Sequence, residues 1–130
     1  MAGAAREDDT VTGTDTHIVL VPSGTGTTPV AQTLPFAGRL RRGLSTDVTI
    51  DGRPAAVVGS VAVNAPKHVP VGGTFQRPPS DQGTVDGGSR TVLIDGRAAA
   101  RVGDRVVTCN DPTDAATAAI SSGSGTVEVG

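Results

Sequence analysis

The sequence predicts a mainly β domain of short hairpins in a pseudo-threefold arrangement, with little helix. Three observations carry this. Val, Ile and Thr recur in short alternating runs, the pattern of half-buried strands. Asp-Gly pairs at 51–52 and 95–96 separate two such runs from their returns, and Asp-Gly is a strong two-residue hairpin signal. A ten-residue segment is also written nearly twice, as "IDGRPAAVVG" at 50–59 and "IDGRAAARVG" at 94–103.

Taken in order, residues 1–14 carry no strand pattern and read as a flexible arm, with the folded domain over 15–130. "HIVLV" (17–21) is the first strand candidate. "PSGTGTTP" (22–29) is Gly-rich but lacks the Gly-Lys-Ser/Thr ending of a phosphate loop, and reads as a flexible loop. "AGRLRRGL" (37–44) fits one helical turn. The repeat then gives two hairpins, "DVTI-DGR-PAAVV" and "TVLI-DGR-AAARV", followed by the strand candidates "VAV" (61–63) and "RVVT" (105–108). Alanine is a poor strand former, so its use in the return strands implies close packing. "DPTDAATAAISS" (111–122) fits a short helix capped by Asp111 or Thr113, with Pro112 in the first turn. A third copy of the outgoing strand, "GSGTVEV" (123–129), aligns with "GSRTVLI" (88–94) but lacks a return strand. Three unequal copies are few for a solenoid and suit a closed threefold object.

Composition narrows the function classes. The 130 residues make one domain, with 36% hydrophobic residues against roughly 45–50% in typical domains, a figure that also counts glycine. Phe36 and Phe75 are the only aromatic residues apart from the two histidines, so no large aromatic core is available and each reads as a plug of a small one, the alternative being an anchor for a partner at the base. The net charge is −2 and the densest basic cluster is Arg39, Arg41 and Arg42, which gives nucleic-acid binding little support. No apolar run approaches the ~20 residues of a membrane span. The first residues lack the pattern of a secretory signal peptide. Cys109 is the only cysteine and has no internal disulfide partner. Synthesis in the cytoplasm is the resulting expectation.

The repeat resembles the PAAR-repeat family, whose motif runs Pro-Ala-Ala-Arg-Val-Gly-Asp after an Asn-Gly or Asp-Gly turn. The two copies here are Pro54-Ala55-Ala56-Val57-Val58-Gly59-Ser60 and Ala98-Ala99-Ala100-Arg101-Val102-Gly103-Asp104, imperfect at different positions. The resemblance covers about residues 15–130. It implies a small conical domain that is structural, not enzymatic. Such a cone caps and sharpens the trimeric, VgrG-like spike of a contractile injection system, one chain per trimer. It helps to pierce the target envelope and in some relatives links effector cargo. With no signal peptide, the chain would join a particle assembled in the cell and end outside it or in the target cell after firing. The long segment between Pro22 and Gly43 and the imperfect motifs favour an extracellular phage-tail-like particle over type VI secretion. That segment would broaden the base. The short stretches flanking the motif region imply a tip without a fused effector.

The resemblance also implies a structural zinc near the apex, held by a set similar to three His and one Cys. His17, His68 and Cys109 are this chain's soft or borderline ligands, one ahead of each strand unit, so they would converge on the axis. A tetrahedral site needs a fourth donor, from Asp15, Asn110, Asp111 or water. Arg53 and Arg97, after the two turns, and Arg39, Arg41 and Arg42 are the candidate spike contacts. Two other classes remain: a small zinc hydrolase, which would need an open coordination position and a general base, and a free-standing binding β-domain, which would not associate with a trimeric spike.

Overall fold

The computed structural model describes residues 1–130. The chain opens with β1 (Ala2–Gly3), then two long strands, β2 (Thr10–Ser23) and β3 (Gly26–Arg42). A minimal hairpin follows, β4 (Thr49–Ile50) and β5 (Arg53–Pro54), leading into β6 (Val61–Asn64). After β7 (Thr74–Phe75) and β8 (Gln82–Val85) comes a second minimal hairpin, β9 (Leu93–Ile94) and β10 (Arg97–Ala98). β11 (Arg105–Thr108), β12 (Ala115–Ile120) and β13 (Glu128–Val129) complete the chain.

Three wall hairpins, β2/β3, β6/β8 and β11/β12, stand around one axis, each antiparallel. Neighbouring hairpins also pair, β3 with β6, β8 with β11 and β12 with β2, so the wall is closed and leaves no edge between hairpins. Closure at β12/β2 requires Gly13, where a Cβ would fall 2.4 Å from the Thr117 carbonyl oxygen. β7 adds one short strand outside β2.

Three minimal hairpins form the other end of the cone. Two are the Asp-Gly hairpins expected from the repeat, and all four turn residues adopt positive φ (Asp51 54°, Gly52 80°, Asp95 53°, Gly96 77°), as a type I′ turn demands. The third is discontinuous in sequence: β13 pairs with β1, Ala2 opposite Val129. The return strand that the C-terminal copy lacks is therefore supplied by the N-terminal residues. Gly3-Ala4-Ala5-Arg6-Glu7-Asp8-Asp9 is the third copy of the motif. The flexible arm expected over 1–14 is thus a correction: Ala4, Ala5, Asp9 and Val11 are buried, and the folded domain starts at Ala2.

The three motif copies meet on the axis in a cyclic hydrogen-bond ring. Ala5 N donates to Ala100 O (2.9 Å), Ala100 N to Ala56 O (3.0 Å) and Ala56 N to Ala5 O (2.9 Å). Three side chains facing one axis leave room for little more than a methyl group, which is why alanine occupies this position. Alternation sends Ala5, Ala56 and Ala100 to one side of the ring, into a core with Val11, Phe36, Leu40, Val85, Val106 and Ile120. Ala4, Ala55 and Ala99 face the other side, against Ile50, Ile94 and Val129 of the base hairpins.

Both helical expectations are corrected. Residues 115–120 form β12, hydrogen-bonded to β11 on one side and β2 on the other, and this two-sided pairing overrides the helix preference of its alanines. Residues 37–42 belong to β3. The loop expected at 22–29 is instead the end of the β2/β3 hairpin, in register from Thr10 opposite Arg39 to Ser23 opposite Gly26 around a two-residue turn. It projects away from the base, so it lengthens the apex and does not broaden the base.

The base hairpins are locked by buried serines. Ser45, Ser89 and Ser124 each accept two backbone N–H groups from the start of their own strand, as Ser/Thr turns do. Ser124 also donates to Asp51 across the interface at 2.6 Å. Hydrogen bonds from Ser124 and Thr126, followed by the charge of Arg6, hold the Asp51 carboxyl below the usual carboxylate range. A depressed folded value contributes stability that is present above the unfolded value, about 3.9, and is lost as pH falls through the folded value. Between about pH 5 and pH 2 the wild type is expected to lose more melting temperature than Asp51→Asn, measured by circular dichroism. Parallel acid profiles for the two proteins would contradict this.

Candidate metal centre

Beyond the core, the three wall units carry four polar side chains to one buried point: Asp15, His17, His68 and Cys109, with ligand atoms all within 4.8 Å of one another. His17, His68 and Cys109 thus come together in space. His17 and His68 occupy equivalent positions, eight residues beyond the last motif residue, Asp9 in one unit and Ser60 in the next. The same count in the third unit falls on Pro112, and Cys109 serves from three residues earlier. The spacing from the motif was the signal that related the two histidines. It becomes readable only once residues 3–9 are seen to be a motif copy.

The fourth member of the cluster is Asp15, from the same strand as His17. Alternation along β2 puts Asp15, His17 and Val19 on its inner face, and all three are buried. Asp15 Oδ2 lies 2.7 Å from His68 Nε2 and 3.5 Å from Cys109 Sγ. Its Oδ1 accepts from the hydroxyls of Thr108 and Thr117, which fix the carboxylate and leave Oδ2 to the cluster. The other candidates are engaged elsewhere. Asn110 Oδ1 accepts from Thr16 N, and Asp111 Oδ2 accepts from Ile18 N, both at 2.8 Å. Arg77 binds the opposite side of this turn through Asp111 Oδ1 and the Asn110 carbonyl. Asp111 also lies 3.6 Å from His17 Nδ1, too far for a hydrogen bond.

The donor set fits a divalent ion. Neither ring nitrogen of the buried His17 has a hydrogen-bond partner, an arrangement that costs free energy unless another atom takes the lone pair. Asp15 is fully buried, and a buried carboxylate needs a compensating cation. Burial, and then the charge of Asp15, push the Cys109 thiol up, so in the free cluster the sulfur keeps its proton at neutral pH. One carboxylate and one thiolate would together balance a dication. Nitrogen, sulfur and carboxylate donors are among the types that zinc accepts. The rings around the cluster are packed: Phe75 lies edge-on to His17 at 5.6 Å, and Phe36 to His68 at 6.4 Å. Neither phenylalanine is at the base.

The candidate contact arginines spread over two regions. Arg53 and Arg97 follow the base turns, and Arg53 lies 3.7 Å from Asp9. Arg39, Arg41 and Arg42 sit on the exposed flank of β3 near the ring, where Arg39 donates to the Asp8 carbonyl and Arg41 pairs with the Asp8 carboxylate. The structure does not gather the five into one patch.

No curated protein and no solved structure matches the chain. Residues 75–130 match the PAAR motif family. Proteins with this motif are of the spike-tip type found with VgrG spikes. The matched segment holds the copy at 98–104, where Arg101 N and its guanidinium both bind Asp104. The copy at 3–9 repeats this closure, with Arg6 on Asp9, and the copy at 54–60 keeps its backbone half, Val57 N on Ser60 Oγ. All three copies close the same ring with the same bonds, so the arrangement of the matched copy, which supports a PAAR-repeat protein, recurs at 3–9 and 54–60.

Proposed function

We propose that this protein is the structural tip of a contractile injection system, seated by its base on a trimeric VgrG-like spike, one chain per trimer. The observation that carries this reading is the threefold base. One chain presents three equivalent hairpins, β4/β5, β9/β10 and β13/β1, around one axis. A single chain can then meet three identical strand ends without leaving any of them bare. Mechanically, the closed wall carries axial load into a narrow apex, and the β2/β3 hairpin extends that apex roughly 20 Å beyond His17, at about 3.3 Å per residue. The cone pierces the target envelope on firing. The exposed sides of this hairpin give effector cargo a place to ride.

We infer that Asp15, His17, His68 and Cys109 hold a structural zinc. When bound, the ion supplies cross-linking: it ties together wall strands from all three units, which this small core can do only weakly. Four protein donors complete a tetrahedral sphere and leave no position for a substrate water, which argues for a structural role over a hydrolase. Arg53 and Arg97, at the base turns, are the spike contacts favoured by position. Arg39, Arg41 and Arg42 lie higher on the flank and reach only a partner that overlaps the wall. Assembly would occur in the producing cell, on an extracellular phage-tail-like particle or a type VI apparatus.

Co-expression with the neighbouring spike protein tests the tip reading. The expected result is a stable complex of one cone per spike trimer, measured by native mass spectrometry. A spike that forms its trimer and leaves the cone free would overturn it.

A further inference from the structure

The interfaces between neighbouring base hairpins repeat one arrangement. In the first, Arg6 donates Nη1 to Asp51 of the next hairpin at 2.8 Å, while Ser124 and Thr126 each donate to that carboxylate at 2.6 Å. In another, Ser89 donates to Gly130 O, and Arg101 is the motif arginine. In the remaining interface the acceptor is Asp95, and Ser45 donates to it at 2.6 Å in the place of Ser124. Here the arginine is missing. Its position is Val57, and its closing acid is Ser60.

Three further features mark this interface. The place of Thr126 is taken by Asp47, so a second carboxylate faces Asp95 where its sister has a hydroxyl. The hydrogen bond to Asp95, and then the Asp95 charge, hold Asp47 above the usual carboxylate range, the mark of two acids in close approach. Arg97, whose counterpart Arg53 faces Asp9, finds Ser60 in place of that acid. Between these groups lies a groove of about 310 Å³, lined among others by Ser45, Thr46, Val57, Asp95 and Arg97.

We propose that this groove is a seat for one arginine side chain of a bound protein partner, which enters beside Val57 and takes at Asp95 the hydrogen bond that Arg6 takes at Asp51. A planar guanidinium matches a carboxylate flanked by a hydroxyl, and Val57 offers an apolar wall for its stem. The chain fills the sister position at Asp51 with its own Arg6, and the other sister position is Gly130, which has no side-chain carboxylate. The seat therefore exists once per cone. It gives a nearly threefold body a single distinguished side and fixes the rotational setting of whatever binds there. The inference goes beyond the tip reading and does not depend on the metal.

The test is a titration of the ¹⁵N-labelled protein with N-acetyl-arginine methylamide, followed by NMR, with the uncharged citrulline analogue as control. Saturable shifts are expected at the amides of Ser45 to Asp47, Val57 and Asp95 to Arg97. Asp95→Asn is expected to weaken binding by about tenfold or more, the loss of a charge-assisted pair. Val57→Arg with Ser60→Asp restores the chain's own arginine and is expected to abolish it. Asp86→Asn, which removes an exposed carboxylate paired with Arg105, is expected to change nothing. The proposal fails if no saturable shift appears, if citrulline acts equally, or if the response survives in the restored double variant. Should that variant misfold, undiminished binding by Asp95→Asn is sufficient to reject it.

Discussion

Replacing Asp15 by asparagine is expected to lower zinc affinity by about 100-fold or more and to cost the folded protein roughly 10–20 °C of melting temperature. The substitution removes one of the two negative charges that balance the proposed ion. It keeps the side-chain shape and an oxygen for Thr108 and Thr117, so loss of packing is not the cause. Outer-shell partners of metal ligands alone are worth about 10–100-fold in affinity, and a direct anionic donor is worth more. Structural zinc contributes on the order of 10 kcal/mol of apparent folding free energy in small domains. A domain of this size loses roughly 3–5 °C per kcal/mol, so losing a fraction of that term gives the stated shift. Elemental analysis and calorimetry check it, with chelator-treated wild type as the reference. An Asp15→Asn protein that retains full zinc and melts like the wild type would remove Asp15 from the site. A wild type that purifies from zinc-containing medium without zinc, and melts unchanged with chelator, would remove the ion altogether.

Deleting residues 1–9 is expected to abolish cooperative folding. This segment supplies β1 and one third of the axial ring. Its backbone bonds reach all around the cone: Ala4 N to Val127 O, Ala5 N to Ala100 O, Glu7 N to Pro54 O and Asp8 N to Leu40 O. In return it accepts from Ala56 N, Val102 N, Ser124 N and Leu40 N. At roughly 0.5–1.5 kcal/mol net for each bond, together with the buried Ala4 and Ala5, the loss rivals a whole domain stability of about 5–15 kcal/mol. It also strips Arg6 from Asp51. A milder variant separates position from bulk: Ala5→Leu keeps every backbone bond but forces a branched side chain onto the crowded axis, at about 1–3 kcal/mol or more. Denaturant melts and amide dispersion in NMR spectra read both. A truncated chain with a wild-type midpoint would return the segment to the status of a loose arm.

Several features of the cone are written in the sequence. The repeated "IDGR" fixes two hairpins because Asp-Gly specifies a turn with positive φ at both central residues, a local property of two residues. The alanines signal close packing, and they meet on the axis. His17, His68 and Cys109 stand out because histidine and cysteine are so scarce in this chain. Other features were hidden for a physical reason. Residues 3–9 do not look like a motif copy, because Gly59 and Gly103 are replaced by Asp8, which takes the same left-handed conformation (φ 69°) without the glycine letter. The alanine-rich stretch 115–120 carries a helical preference, and only pairing with strands from two other parts of the chain makes it β12. Asp15 was one of several candidate fourth donors, and nothing local separates it from Asn110 or Asp111.

The sequence by itself determined the hairpin turns and the count of three outgoing strands, because each rests on residues adjacent in the chain, and composition alone singled out the two histidines and the cysteine. Only the tertiary structure decided which residues close the third side, which carboxylate joins the two histidines and the cysteine, and which interface lacks its arginine. Those outcomes depend on contacts between residues 45 to more than 120 positions apart, such as Arg6 with Asp51 and Ala2 with Val129. Pairing over such separations is set by closure of the whole wall around one axis, and no window of the sequence contains it.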